Sequence, residues 1–323
     1  MSTMLPSRTA PYICLFRRGH DSVGEKQFIN EYLIPMLNRI APEKSVSVDG
    51  YGNVLVELGN PRLLFVGHVD TVHGKNEPAD QSVIIADGIL SLDLQKSPDA
   101  TCLGADDASG ISVMMYLISK GVKANYLFTR CEERGGHGAS YFRANSEAIL
   151  RQAKIAIEID RRDFTDAIHT QFVGECASLE FTKSLIKALK MPSITPSDEG
   201  SYTDIATFAD IIPECVNLPA GYFAAHSKNE FVNLNFLDNL AKALEKVDWA
   251  ELTTHREAGD FGDFSGFMYG YGVQLSEDAV FKLVDKDPYL AAQLLFDLGI
   301  TTEDVLIAEE NLYGYVTDCS NAV

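Results

Sequence analysis

The chain has 323 residues, of which 46% are hydrophobic and 23% are charged, a composition typical of a soluble globular protein. Its formal net charge of -19 argues against nucleic acid and membrane surfaces as partners, because both require basic patches. The N-terminus has no signal-peptide pattern, no apolar stretch could span a bilayer, and the 6 scattered cysteines suit reduced thiols, so we expect a cytoplasmic protein.

Predicted strands and helices alternate along the chain up to about Trp249. Apolar residues at helical spacing predict a first helix over Gly24–Leu37, with Pro35 kinking its last turn. The other predicted elements are strands at Ser45–Val48, Val54–Glu57, Arg62–Val66, Ala124–Thr129 and Ile155–Ile159, and helices at Asp107–Ser119, Cys176–Leu189, Thr203–Ala209 and Asn235–Val247. This alternation predicts an α/β fold with a central, mostly parallel mixed sheet flanked by helices.

The composition changes after Trp249. Residues Gly259–Gly272 are rich in glycine and aromatic residues and are predicted to form a linker or packed loop. Three short helices are predicted beyond it, and Val273–Val323 contains 10 acidic and 2 basic residues. We therefore predict an α/β domain over residues 1–250 and a linker followed by a small acidic helical extension over residues 251–323.

Five short motifs place polar side chains at the ends of predicted strands, at the start of one predicted helix, or in a late loop. The motifs are GHVDT with His68 and Asp70, GADDASG with Asp106, EERGG with Glu132 and Glu133, EIDRR with Asp160, and AAHSKNE with His226. The carboxyl ends of strands in an open α/β sheet are where ligand sites assemble, so these side chains can converge on one crevice.

Histidine and carboxylate side chains in this number predict two metal ions. Five ligands (His68, Asp106, Glu133, Asp160 and His226) are too many for one tetrahedral zinc but suit two ions if one carboxylate bridges them. Asp106 is the natural bridge, which gives one ion His68, Asp106 and Asp160 and the other Asp106, Glu133 and His226. Zinc is expected, and cobalt or manganese would also suit these donors. Asp70 is predicted to accept a hydrogen bond from the free ring nitrogen of His68.

Together these motifs, from Gly24 to Val247, resemble the co-catalytic zinc exopeptidases, the superfamily that holds the M28 aminopeptidases, the M20 carboxypeptidases and deacylases, and the M42 aminopeptidases. The resemblance implies the α/β fold of these exopeptidases and two zinc ions bound by the five ligands named above. It also implies that Glu132 is the general base and that the peptide bond between Asp106 and Asp107 is cis. The short separation of Asp160 and His226 implies a catalytic domain without an inserted lid domain. The stretch GSYTDIATF resembles a substrate-side loop of the superfamily and places Thr203 and Asp204 near the substrate.

The expected activity is metal-dependent hydrolysis of peptide or amide bonds, and an aminopeptidase is the leading interpretation. Arg134, Arg161 and Arg162 directly follow ligand residues, where they could bind a substrate carboxylate or pair with neighbouring acids. The alternative is therefore an M20-like carboxypeptidase or N-acyl-amino-acid deacylase. A non-catalytic binding protein on the same fold and an α/β domain without metal remain open as other classes, and the oligomeric state is not predicted.

Overall fold

The computed structural model describes residues 4–262. The three helices predicted after Val273, and most of the predicted linker, lie outside the described residues. The α-helices that the structure describes are α1 (Pro6–Ile13), α2 (Val23–Gln27), α3 (Ile34–Ile40), α4 (Ala105–Ser119), α5 (His137–Asn145), α6 (Glu147–Leu150), α7 (Leu179–Leu189) and α8 (Leu234–Glu245). No helix within residues 4–262 is long and apolar enough to cross a membrane.

The strands are short and spread over the whole described part of the chain. They are β1 (Val46–Val48), β2 (Val54–Glu57), β3 (Leu63–His68), β4 (Val83–Ala86), β5 (Ile89–Leu92), β6 (Asn125–Thr129), β7 (Ile155–Arg161), β8 (Asp166–Ile168), β9 (Thr170–Gln171), β10 (Gly174–Glu175), β11 (Thr195–Ser197), β12 (Glu214–Pro219), β13 (Tyr222–Phe223) and β14 (Phe231–Asn233).

An eight-stranded sheet in the order β1-β2-β6-β3-β7-β12-β8-β11 forms the centre of the fold. Strands β6, β3, β7 and β12 run parallel, and β1 and β2 add an antiparallel edge. The side chains of β3 alternate between the two faces of the sheet: Leu63 and Phe65 pack in one hydrophobic cluster, Leu64 and Val66 in the other. The predicted α/β fold with a mostly parallel mixed sheet is confirmed.

Helices cover both faces of this sheet. Every residue of α4 from Ala105 to Ile118 is buried, as expected for a helix packed between a sheet and other helices. Helix α8 instead buries one face through Leu237, Leu240 and Leu244, which are spaced three and four residues apart.

The predicted helix Gly24–Leu37 is helical from α2 to α3, with a π-helical turn at Phe28–Leu33 between them. The cause is Pro35, which has no N–H to donate to the carbonyl four residues earlier and whose ring crowds that carbonyl. The irregularity therefore lies before Pro35 rather than in the last turn.

A second, four-stranded antiparallel sheet in the order β13-β14-β5-β4 was not predicted. Its hairpin β13–β14 carries the loop that contains His226, so this small sheet brings a late segment of the chain back to the central sheet.

Candidate metal centre

The predicted polar side chains meet at one edge of the central sheet. His68 is the last residue of β3, Asp160 lies near the end of β7, and β6 leads through two residues into a 3₁₀ turn at Glu132–Arg134. Because β6, β3 and β7 are parallel neighbours, their carboxyl ends lie side by side.

His68, Asp106 and Asp160 form one cluster. The Nε2 atom of His68 is 3.0 Å from Asp106 Oδ1 and 3.7 Å from Asp160 Oδ1. One ligand atom from each residue lies within 4.8 Å of the others, close enough for a shared metal ion.

Asp106, Glu133 and His226 form the adjoining cluster. The Nε2 atom of His226 is 3.2 Å from Asp106 Oδ2 and 3.0 Å from Glu133 Oε1. The two oxygens of Asp106 therefore face different histidines, and its carboxylate is common to both clusters.

An irregular helix start presents Asp106 at this point. Gly104 adopts a left-handed conformation with a φ of 73°, Asp106 and Asp107 have non-helical angles, and the peptide bond between them is cis. The side chain of Asp107 turns inward and accepts the N–H of Gly110 at 2.7 Å. A Cβ on Gly67 would lie 2.7 Å from Asp107 Oδ2, so only glycine fits at that position of β3.

Burial and crowding of like charges shift the pKa values of these groups. Burial raises the pKa of Asp160 to about 8, and the charge of Asp106 adds to the rise. Burial also raises the pKa of Glu133, and that of Glu132 well above its ordinary value. The carboxylates of Asp106 and Glu133 beside its ring raise the pKa of His226 to about 11. Asp106 is the exception: burial opposes its charge, but His226 and His68 beside it hold its pKa well below its usual range. The other three carboxyl groups bind protons more readily than they would in water.

The donor set fits two divalent cations. Imidazole nitrogens and carboxylate oxygens are the ligands that zinc, cobalt and manganese use. Among residues 4–262, the buried Oε1 of Glu133 has no hydrogen-bond donor, although His226 Nε2 lies 3.0 Å away. Positive ions would also compensate the clustered carboxylates, which are costly to bury alone.

The side chain of Asp70 lies near the predicted position but has a different partner. The Nδ1 atom of His68 is 3.1 Å from the backbone carbonyl oxygen of Asp70, whereas the carboxylate is 3.8 Å away, beyond hydrogen-bonding distance. The buried carboxylate instead accepts the backbone N–H of Glu132 at 3.0 Å and of Glu133 at 3.3 Å. The predicted hydrogen bond is thus replaced, because the turn after β6 offers two unpaired N–H groups.

The glutamates of that turn differ in their surroundings. Glu133 faces His226 and Asp106. Glu132 offers a carboxylate oxygen within 4.8 Å of a ring nitrogen of His68 and of Glu133, and its side chain is half-buried at the edge of the cluster.

The four residues predicted to contact substrate differ in exposure and in their partners. Arg134 is exposed, whereas Arg161 pairs with Asp166, with its Nη2 atom 2.9 Å from Asp166 Oδ2. Thr203 donates its hydroxyl to the buried Glu158. Asp204 is fully buried, and burial raises its pKa to about 7.

Several residues at the site were not found from the sequence. The buried Tyr222 donates its hydroxyl to the backbone oxygen of Asp160 at 2.8 Å. Glu230 and Arg18, both buried, hydrogen-bond to the backbone around Asp106. Nothing in the sequence around Glu230, Arg18 or Tyr222 distinguishes these residues.

Comparison with known proteins gives a consistent answer about the fold. No family model and no curated protein sequence matches the chain. Among solved structures, a tripeptidase from Staphylococcus aureus superposes with a TM-score of 0.59 at 14% identity, covering 76% of this chain and 97% of that one. Aminopeptidase PepT from Bacillus cereus gives 0.59 at 14% identity, covering 75% and 98%.

The TET1 peptidase of Pyrococcus horikoshii superposes with a TM-score of 0.54 at 18% identity, covering 71% of this chain and 94% of that one. Each match covers nearly the whole of the solved chain, so the likeness extends over the sheet and its helices. The chain therefore has the fold of these peptidases, as the resemblance to the co-catalytic zinc exopeptidases implied.

Proposed function

We propose that this protein is a dinuclear metal-dependent aminopeptidase. The observation that carries the proposal is the carboxylate of Asp106, whose two oxygens face His68 at 3.0 Å and His226 at 3.2 Å. A carboxylate shared between two histidine-containing clusters is the arrangement that two co-catalytic ions require.

In this proposal one ion is held by His68, Asp106 and Asp160, and the other by Asp106, Glu133 and His226. When bound, the two ions lower the pKa of a water molecule and polarise the carbonyl group of the substrate. We propose zinc, with cobalt or manganese as functional substitutes, because all three accept these nitrogen and oxygen donors.

Glu132 is the proposed general base. It accepts a proton from the attacking water and returns that proton to the leaving amine. Its position supports this role, because it borders the cluster and its backbone N–H is held by Asp70 at 3.0 Å.

The surplus of carboxylates favours substrates with a free amino terminus. Glu132 and the buried Asp204 add two carboxyl groups beyond the proposed ligands, and their oxygens can accept hydrogen bonds from an ammonium group. Arg161, a candidate for binding a substrate carboxylate, is paired with Asp166. The aminopeptidase and tripeptidase names of the superposing structures agree with this choice.

An N-acyl-amino-acid deacylase or carboxypeptidase of the M20 type is the second candidate. The exposed Arg134, directly after Glu133, is the observation in its favour, because a guanidinium is well suited to bind a carboxylate.

The described cysteines are free thiols, which supports the cytoplasm as the compartment.

Activity on a defined substrate panel tests the proposal. Zinc-loaded protein is expected to hydrolyse aminoacyl-anilides and short peptides with a free amino terminus, and to leave N-acetyl-amino acids intact. Turnover of the N-acetyl compounds alone would select the deacylase. Binding of two zinc equivalents without hydrolysis of any amide would select a non-catalytic binding protein, and binding of well under one equivalent would leave an α/β domain without metal.

The two adjacent glutamates separate base from ligand. Glu132→Ala is expected to retain both ions and lose activity by about 10²–10⁴-fold, the usual contribution of general acid–base catalysis. Glu133→Ala is expected to weaken binding of the ion shared with His226. If both variants bind zinc like the parent and remain active, the assignment is wrong.

A further inference from the structure

A buried carboxylate accepts hydrogen bonds from the backbone that carries Asp106. Glu230 is 1% exposed, and its Oε2 atom accepts the N–H groups of Leu103 and Gly104, each at 2.9 Å. Its Oε1 atom accepts the N–H of Asp106 itself at 3.1 Å. Because Glu230 ends the loop that contains His226, these bonds tie that loop to the shared carboxylate.

A buried guanidinium donates a hydrogen bond to a carbonyl oxygen of the same backbone segment. Arg18 is 0% exposed and donates from Nη2 to the oxygen of Gly104 at 2.9 Å. Its Nε atom donates to the oxygen of Val69, next to His68, at 2.8 Å, and Nη1 donates to the oxygen of Ile13 at 3.1 Å. Arg18 therefore ties Asp106 to the end of β3, which carries His68.

We propose that Arg18 and Glu230 are positioning residues that set the spacing between the two histidines and Asp106, and so determine metal affinity. Within the Leu103–Asp106 segment, Arg18 donates to the carbonyl oxygen of Gly104, whereas Glu230 accepts the N–H groups of Leu103, Gly104 and Asp106. Neither belongs to the proposed ligand set. The inference rests on the proposed metal site and adds the residues that hold its shared ligand in place.

A second buried pair of a glutamate and an arginine, Glu214 and Arg256, also binds backbone groups but lies away from the site. Glu214 is 0% exposed and accepts the N–H groups of Ser178 at 2.7 Å and Arg256 at 3.0 Å. The guanidinium of Arg256, 7% exposed, donates to backbone oxygens, including those of Pro213 at 2.6 Å and Ala209 at 2.7 Å. Glu214 begins β12, whereas the metal cluster lies at the carboxyl ends of the parallel strands. Loss of this pair should cost stability without touching the site.

Zinc binding by four variants of the full chain tests the proposal. Glu230→Gln and Arg18→Lys keep size and part of the hydrogen bonding, and Glu214→Gln and Arg256→Lys are their controls. Affinity is measured by competition between Zn²⁺ and a chromophoric chelator, and geometry by the visible absorption of Co²⁺. Thermal melting of each metal-free variant reports its stability.

Glu230→Gln and Arg18→Lys are expected to bind Zn²⁺ about 10–100-fold more weakly, the effect typical of residues that orient metal ligands, and to change the Co²⁺ spectrum. The controls should lower the melting temperature and leave affinity and spectrum unchanged. Arg18→Lys decides alone if Glu230→Gln does not fold.

Parent-like affinity in both site variants would overturn the inference, and so would an equal loss of affinity in the controls. A parent protein that binds no Zn²⁺ would refute the proposed function, and the inference with it. These failures are therefore distinguishable.

Discussion

Asp70→Asn tests how the turn that carries the proposed base is held. The carboxylate of Asp70 is 0% exposed and accepts the N–H groups of Glu132 at 3.0 Å and Glu133 at 3.3 Å. Asparagine keeps the shape but replaces one acceptor oxygen with an NH₂ group, so one of these bonds is lost. A hydrogen bond to a charged group contributes about 1.5–3 kcal/mol.

If that contribution fixes the position of Glu132, kcat should fall about 100-fold, which corresponds to ~2.7 kcal/mol of activation free energy. Zinc affinity should change by less than about tenfold, because the ring of His68 is bonded to the backbone oxygen of Asp70 at 3.1 Å and that bond is retained. The loss should therefore appear in catalysis rather than in binding of the ions.

The assay combines kcat and KM of the zinc-loaded variant with zinc stoichiometry and thermal melting. Asp49→Asn is the control, because the Asp49 carboxylate also accepts backbone N–H groups, those of Tyr51 and Gly52, each at 2.9 Å. A parent-like kcat in Asp70→Asn would refute the reasoning. Loss of both ions would instead support the sequence-based role, in which Asp70 orients His68.

Three further predictions concern the same region. The pKa values of Asp160 (about 8) and His226 (about 11) are raised in the folded protein, so their protonation stabilises the metal-free fold at low pH, and this contribution is lost as pH rises. Zinc at about 100 times its Kd at pH 7 should raise the melting temperature by roughly 5–10 °C. At that fixed zinc concentration, the difference in melting temperature between zinc-loaded and metal-free protein should increase from about pH 6 to about pH 9, because fewer protons compete for the ligands; a constant or decreasing difference would contradict this. Tyr222→Phe removes a hydroxyl that donates to the Asp160 backbone at 2.8 Å and should cost about 1 kcal/mol and weaken zinc binding, so unchanged melting and titration curves would count against it. Gly136→Ala, at a φ of 64°, places a Cβ 2.6 Å from Tyr202 Oη and should destabilise the protein by about 1–3 kcal/mol in denaturant unfolding. The loss should exceed that of Gly121→Ala, where φ is 71° and no atom of the described residues lies within 4 Å of the added Cβ; equal losses would argue against the contact.

The strands built around short apolar runs were predictable from the sequence. Val54–Glu57 was predicted with the bounds of β2, and β3, β6 and β7 were predicted to within two residues at each end. Each packs between two hydrophobic clusters, and burial on both faces is what produces such a run.

The strand β12 was not predicted because its sequence, ECVNLP, contains polar residues although all six of its residues are buried. Its Glu214 accepts backbone N–H groups and its Asn217 accepts the N–H of Asp160 at 2.9 Å. These polar side chains are buried because partners distant in sequence satisfy them, and no local pattern reveals such partners. The predicted helix Cys176–Leu189 starts three residues later, because α7 begins after a cap at Ser178. The predicted helix Thr203–Ala209 is a 3₁₀ helix over Asp204–Phe208.

For the candidate site, the clusters were predictable and their supports were not. His68, Asp106, Glu133, Asp160 and His226 lie within short motifs whose spacing is visible along the chain, and the structure brings them together. The hydrogen bonds of Asp70, Arg18 and Glu230 depend on which backbone groups the folded chain leaves unpaired, so they could be assigned only from the three-dimensional arrangement.

The two histidines differ in their contact with solvent: the side chain of His68 is 1% exposed and that of His226 is 52% exposed. Two ions bound as proposed would therefore exchange at different rates. The ion beside His226 should leave first when a chelator is added, because water can reach its ligands, and the ion beside His68 should leave slowly. Brief treatment with a chelator would then yield a half-loaded protein, into which a second kind of metal ion could be introduced at the outer position alone.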